Sequence, residues 1–212
     1  MNKRVAVALI VFLMLSILMT VGFAGANVTL STTDMAQAYV PTSYVQGQVT
    51  DIMLTGSGSV STYDTGFVKF SIPATPSGEY IVSATLMADV TDSLGTGSVS
   101  VFLVTSAWSS STLSGTNLPT TASTATATKA ISGNAVYSWT VTSDVVSGKA
   151  ANGWEFVDTA TGTHESLDDM SLVIVYNLIP VPENGVGICL ALVAGFAALY
   201  FMKKPKINFK RN

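Results

Sequence analysis

Cysteine is almost missing from this chain: 212 residues hold one, Cys189, inside an apolar stretch near the C-terminus. No disulfide can brace the body of the protein, and no paired-cysteine metal or redox motif exists. Histidine is equally scarce. His164 stands alone beside Glu165, so a Ser-His-Asp arrangement would have to be built on that one residue, and no nucleophile-elbow sequence accompanies it. No catalytic residue is assigned, and the chain reads as non-enzymatic. Nor is there EF-hand spacing among the carboxylates.

Positive charge is missing from the middle. Of ten Lys and Arg, Lys3 and Arg4 lie at the start and Lys203, Lys204, Lys206, Lys210 and Arg211 at the end, leaving Lys69, Lys129 and Lys149 between them. All thirteen Asp and Glu fall between Asp34 and Glu183, so the stretch from 27 to 184 has a formal charge of −10, which the whole-chain value of −3 conceals. Such a surface excludes nucleic acid, whose binding rests on neutralising phosphates. It is compatible with calcium, cationic polymers or neutral glycans.

What the chain does have is an apolar segment at each end. Met1 to Ala26 shows a basic start, an apolar core from Val5 onward and small residues at Ala24 and Ala26, the layout of a secretory signal peptide cleaved before Asn27. An uncleaved anchor fits the same residues, since the apolar stretch to Phe23 almost spans a bilayer. Gly185 to Met202 is 18 apolar residues, a helix of about 27 Å that can cross the hydrocarbon core. The basic cluster after it favours the cytoplasm. The expected organisation is therefore signal peptide 1–26, exported domain 27–179, linker 180–184, transmembrane helix 185–202 and cytoplasmic tail 203–212, with the domain on the outer face of the membrane. Cys189 is a lipidation candidate or an inert intramembrane thiol.

The exported stretch is one domain's worth of chain, and it reads as strands. In Tyr80–Thr91 the residues Tyr80, Val82, Ala84, Leu86, Ala88 and Val90 share one face and polar residues the other. A second strand over Ser98–Thr105 follows Gly95-Thr96-Gly97, predicting an antiparallel hairpin. Further strands are expected over Gln37–Val40, Asp51–Thr55, Gly66–Ile72, Ala135–Thr142, Gly153–Asp158 and Asp169–Asn177, the last covered on both faces. Thr120–Lys129, nearly all Thr, Ser and Ala, reads as a long loop or an O-glycosylated patch. Ser143–Ser147 reads as one helical turn capped by Ser143 or Asp144. About eight strands joined by small polar turns predict an antiparallel β-sandwich, most simply a jelly roll.

The order of motifs resembles a known family. Asp34 with Ala38-Tyr39-Val40, Phe67-Val68-Lys69-Phe70, Val82-Ser83-Ala84-Thr85-Leu86, Val99 to Thr105, Trp108, Asn117-Leu118-Pro119, Trp139-Thr140-Val141-Thr142, Asn152-Gly153-Trp154, Glu165 and Leu172 to Tyr176 resemble the DNRLRE-type domain. That domain is related to family 96 carbohydrate-binding modules and to repeats of archaeal disaggregatases. The resemblance implies a non-catalytic β-sandwich on secreted or surface proteins, with polysaccharide binding in some members. The chain departs from the pattern where Thr65 and Gly66 replace an Arg, Gly115 or Thr116 a Trp, and His164 a basic residue. The tail resembles exosortase and archaeosortase sorting signals, with Pro182 and Glu183 in the motif Val181-Pro182-Glu183-Asn184. A permanent single-pass anchor fits the same residues.

Candidate binding residues follow. Trp108, Trp139 and Trp154 lie beside strand-like runs and suit core packing. Trp154, after the turn-forming Asn152-Gly153, is the one most suited to stacking on a sugar, with Tyr39, Tyr44 and Tyr63 as further platforms. Glu165, Asp168 and Asp169 form the densest acidic group and are the candidates for a structural calcium; solvated charge is the competing reading. Asn27-Val28-Thr29 is the one glycosylation sequon. The expected function is polysaccharide or cell-envelope binding by a membrane-tethered module. The alternative is a structural subunit of a sheath, matrix or filament that binds its own copies.

Overall fold

A computed structural model describes residues 25–57 and 62–179. Ala24, Pro182, Glu183 and both apolar end segments lie outside the described residues. Within them no helix is long and apolar enough to cross a membrane.

Nine strands account for most of this body: β1 Asn27–Val40, β2 Ile52–Ser57, β3 Tyr63–Phe70, β4 Glu79–Leu94, β5 Gly97–Leu103, β6 Ala127–Ile131, β7 Ala135–Thr140, β8 Trp154–Asp158 and β9 Thr161–Leu178. A single short helix, α1, spans Thr142–Val146, and a 3-10 turn spans Ala150–Asn152. Every strand pairing is antiparallel. The hydrogen-bonded order is β6-β5-β8-β3-β1-β9-β4-β7, with β2 pairing β3 and β9. The described body is all-β, and the path folds into two layers.

The fold turns at β1. Asn27–Ser31 pair with Val175–Ser171 of β9, whereas Thr32–Val40 pair with Phe70–Tyr63 of β3, with an irregularity between Thr32 and Asp34. One strand thus serves both layers, β6-β5-β8-β3-β1 and β1-β9-β4-β7, an arrangement that fits a β-sandwich. Between the layers the edge of Trp139 on β7 meets Phe156 on β8, with centroids 5.3 Å apart. Trp139 Nε1 donates to Val99 O of β5 at 3.0 Å. The core is the inward row of each strand, including Leu54, Val68, Leu86, Val101, Trp154 and Leu172.

Alternation explains most of these elements. Along β4, Ala84, Leu86, Ala88 and Val90 are buried while their neighbours are partly exposed, the period-2 pattern of a half-buried strand. β9 behaves the same way. Leu172, Ile174 and Tyr176 are buried but Val173 and Val175 only half so, so β9 is central within its layer yet covered on one face, not two.

Other expectations also need correction. β4 and β5 form no hairpin: β4 is already flanked by β9 and β7, and β5 by β8 and β6. Gly95, at φ +83, carries the chain over the end of the sandwich into the opposite layer. The Thr-rich stretch read as loop contains most of β6, whose side chains are small because it is an edge strand. Val141, not Ser143 or Asp144, occupies the N-cap of α1 and makes no side-chain cap.

A second, smaller core covers the outer face of the first layer. Ala36 and Ala38 of β1, Phe67 of β3, Val104 and Leu113 are buried there, with Trp108 and Leu118 against them. Residues 104 to 126 form this cover. Lys69 secures it: its Nζ sits 4.2 Å from the Trp108 ring centroid, donates to Trp108 O and lies 3.8 Å from Asp34 Oδ2. Trp108 Nε1 donates to Asn152 O at 2.8 Å.

Candidate functional site

β1, β4 and β9 give the sandwich two distinct ends. One holds the start of β1, the start of β4 and the end of β9, since Asn27 pairs with Val175 and Glu79 with Leu178. The opposite end holds Val40, Tyr63, Leu94 and Thr161, where β1 and β4 finish and β3 and β9 begin.

Two exposed tyrosines, Tyr39 and Tyr44, lie at this second end, while a third, Tyr80, lies at the first. β1 stops at Val40 and the chain doubles back, so that Gln48 bridges Ala36 and Val49 N donates to Met35 O at 3.0 Å. Thr42 closes the turn by donating from N and Oγ1 to Tyr39 O, both at 2.8 Å. Tyr44, 68% exposed, lies in the return segment, and Tyr39, 45% exposed, at its base. The covering loop reaches the same place: a Cβ on Gly115 would lie 2.1 Å from Tyr39 O, so only glycine permits that approach.

Hydrogen-bonding groups lie beside Tyr39. Tyr39 faces Asp64 across the β1–β3 register. Asp64 Oδ1 accepts from Gln37 Nε2 at 3.0 Å and Oδ2 from Thr55 Oγ1 at 2.8 Å. Gln37 Oε1 accepts in turn from Met53 N at 3.0 Å. This network fixes one carboxylate and one amide beside an exposed ring, the combination of a flat apolar face with a few oriented polar groups that suits a hexose.

Tyr63 is placed differently from Tyr44. It is half-buried on the outer face of β3, with burial and the nearby Glu155 charge pushing its phenol pKa up. Glu155 was not picked out in the sequence. Burial pushes its carboxyl up, only partly offset by hydrogen bonds from Thr65 (2.9 Å) and Thr121. Its neighbours along β8 gave the only hint, since Trp154, Phe156 and Asp158 occupy the inward row and send Glu155 outward.

Trp154 is not a sugar platform. Its exposure is 0%, its ring packs 6.2 Å from Phe70, and its Nε1 donates to Asp144 Oδ2 at 2.9 Å. The turn before it is real, with Gly153 at φ +73, but that turn presses inward: a Cβ there would meet Val68 O at 1.8 Å. A glycine before a tryptophan signals close packing here, not display.

Glu165, Asp168 and Asp169 do not converge either, and no group of three metal-ligating side chains occurs among the described residues. Glu165 points into the sandwich and is fully buried. Asp168 Oδ2 accepts from Thr91 Oγ1 at 2.5 Å, while Asp169 takes φ +47 at the surface. His164 stands on β9 rather than in a loop, its Nε2 3.7 Å from Asp92 Oδ2. Ala26, flanking the expected cleavage point, accepts at its carbonyl from Tyr176 N at 2.9 Å.

Glu165 instead meets Asp158. Asp158 Oδ1 accepts from Ser98 N and Ala160 N at 2.8 and 2.9 Å, and Oδ2 from Thr163. Burial alone would raise the Asp158 pKa, but these bonds and one from Glu165 hold it below its ordinary value. Burial, with Asp158 beside it, pushes Glu165 up to about 8. The two carboxyls therefore share one proton at neutral pH.

A polar concavity of about 560 Å³ opens between β6 and β7, lined by Thr126, Thr128, Lys129, Ser138 and Thr140 among others. It offers hydroxyls and a cation, yet its one aromatic, Trp139, is buried.

Residues 28–168 match the profile of carbohydrate-binding module family 96. The chain belongs to that family. A comparison with curated proteins returns no match. The matched stretch includes the whole motif order that runs from Asp34 to Glu165.

Proposed function

We propose that this chain is a non-catalytic polysaccharide-binding module tethered to the outer face of a membrane, engaging glycan through Tyr39 and Tyr44. The observation that carries the binding site is the exposed Tyr39 ring beside the fixed Gln37–Asp64–Thr55 network, with the exposed Tyr44 in the segment that turns back from β1. Family membership supports carbohydrate as the ligand class. The net charge of the exported stretch favours neutral polymers over acidic ones. Export and tethering rest on the end segments, with Ala24 and Ala26 marking signal cleavage and 185–202 the span. Pro182 and Glu183 mark the place where a sortase-like enzyme would cut.

The test is binding of the full chain, held in nanodiscs, to a panel of neutral and uronic-acid polysaccharides. Tyr44→Ala and Tyr39→Ala are each expected to weaken binding about tenfold, equivalent to the stacking of one ring, with unchanged melting temperature. Retained affinity in both variants, or loss confined to Lys129→Ala in the β6–β7 concavity, would overturn the assignment of the site.

A structural subunit is the second reading. β7 and β6 each pair on one side only, and unpaired strand edges invite addition of further strands. Open-ended growth in sedimentation, independent of glycan, is what that reading requires.

A further inference from the structure

The end of the sandwich opposite Tyr39 and Tyr44 is unusually apolar for a body so acidic. Tyr80 and Val82, at the start of β4, are 42% and 48% exposed, and Val146 of α1 is 58% exposed. Leu178, paired with Glu79, is also exposed. Beside them a groove of about 610 Å³ runs between the β3–β4 connection and α1, lined by Phe70, Ile72, Pro73, Ile81 and Val146 among others. Isolated apolar residues on a surface need no explanation. Several exposed side chains and a groove collected at one end do.

Charge is distributed to match. Asp89 and Asp92 lie towards the far end of β4, opposite Asp168 and Ser166 of β9, and Asp64 starts β3 beside Tyr39. At the apolar end, Asp144 is engaged by Thr126 and Trp154, and Lys149 is exposed next to the groove. Asp89, Asp92 and Asp64 thus lie away from this end, Glu79 on it is half-buried with Oε2 turned in beside Tyr176, and Lys149 is the cation exposed there.

Chain length supplies the occupant. Leu178 ends the last strand and the apolar run begins at Gly185, so six residues, 179 to 184, join them. Fully extended they reach about 20 Å, and the headgroup layer takes up roughly 6 Å of that. On the tethered reading the apolar end is the one from which the tether would leave, and a linker of that length would keep it within about 15 Å of lipid headgroups. Tyrosine, valine and leucine at the surface with a nearby lysine is the composition of an interfacial contact.

We infer that this end of the domain, carrying Tyr80, Val82, Val146 and Leu178, rests in the headgroup region of the bilayer and turns Tyr39 and Tyr44 outward. The inference rests on the membrane-tethered reading given above. A module fixed in this way presents its glycan site away from the membrane instead of sweeping freely on a flexible stalk.

The experiment uses the full chain with Cys189→Ser, reconstituted in vesicles of phosphatidylcholine with a minority of phosphatidylglycerol. An environment-sensitive fluorophore is placed on a single cysteine at Val82, Val146 or Thr161, the last exposed at the far end. Lipid carrying a shallow nitroxide is expected to quench the labels at 82 and 146 about twofold or more and to leave 161 unchanged. Val82→Asp is expected to abolish quenching at 146. Equal, weak quenching at all three positions in protein that still floats with the vesicles overturns the docking while sparing the tether. Failure to float removes the tether, and the docking with it. Excimer emission from pyrene at 82, at low protein-to-lipid ratio, would assign the apolar end to a second copy and likewise overturn the inference.

Discussion

The fully buried Glu165 sets an unusual pH dependence for this fold. Its pKa in the folded protein, about 8, exceeds the ordinary value of 4.5, so between these the folded state holds a proton that the unfolded chain has released. Stability is therefore highest below about pH 4.5 on this account and falls as pH rises towards 8. Glu155 is also raised and acts in the same sense. Asp158 acts oppositely. Its depressed pKa contributes stability that is present above the ordinary value of 3.8 and lost as pH falls through the lower folded value. The optimum is a mildly acidic one, and thermal melting of the wild type is expected at a higher temperature at pH 5 than at pH 9. Glu165→Gln keeps a neutral donor towards Asp158 without titrating, so the drop between pH 5 and 9 should shrink markedly; an unchanged drop would show that the carboxyl is ionised in the fold already. None of this was legible in the sequence. Glu165 stands beside Asp168 and Asp169 in the chain, which suggested a shared acidic surface, but alternation turns Glu165 inward, and a bulge in β9 opposite Met87–Asp89, with Asp169 at φ +47, turns Asp169 outward. Trp154 teaches the same lesson in reverse: a neighbouring glycine and asparagine suggested display, whereas the ring fills the core.

Elements defined by alternation were legible, and those defined by what covers them were not. β4 and β7 follow from their own residues, because each buries one row against the core. β6 does not, since an edge strand of Ala, Thr and Lys carries little apolar signal. Pairing partners were the hardest to read: a Gly-containing turn between β4 and β5 fits a hairpin and a crossover between layers equally well, and occupancy of both edges of β4 decides for the crossover. The cover formed by residues 104 to 126 is another feature set by distant contacts. Lys69 reaches the Trp108 ring and carbonyl while pairing with Asp34, whose Oδ2 accepts Ser110 N at 3.3 Å. Lys69→Met is expected to lower stability by about 1–2 kcal/mol through the lost cation–π contact and hydrogen bond. It should also expose the cover to protease before the sandwich unfolds. Lys149→Met, on exposed surface, is expected to stay within about 0.5 kcal/mol. Equal effects of the two substitutions, measured by denaturant unfolding and limited proteolysis, would mean that the cover is held by Phe67 and Leu113 alone.

At the scale of the whole molecule, charge and hydropathy divide the chain into parts with separate tasks. Cations gather at the two termini and carboxylates in between, and within the body Asp89 and Asp92 of β4 lie at the end away from Leu178, whereas Glu79 is paired with it. On the proposed reading, binding, anchoring and sorting would fall to different stretches of sequence. The proposed tether makes this measurable by intact mass of the protein taken from its native membrane. Cleavage before Asn27 removes the first 26 residues and with them the Ala26 carbonyl that receives Tyr176 N. The sandwich tolerates this because Asn27–Ser31 keep their pairing with β9. A permanent anchor gives a mass running from Asn27 to Asn212. Transfer by a sortase-like enzyme gives one that ends near Pro182 and carries an added moiety, and Glu183→Ala should then restore the longer form, because the carboxylate belongs to the recognised motif. A mass that still includes residues 1–26 would leave the chain anchored at its N-terminus as well. The start of β1 lies at the same end of the sandwich as the finish of β9, so even a double anchor holds the tyrosines outward.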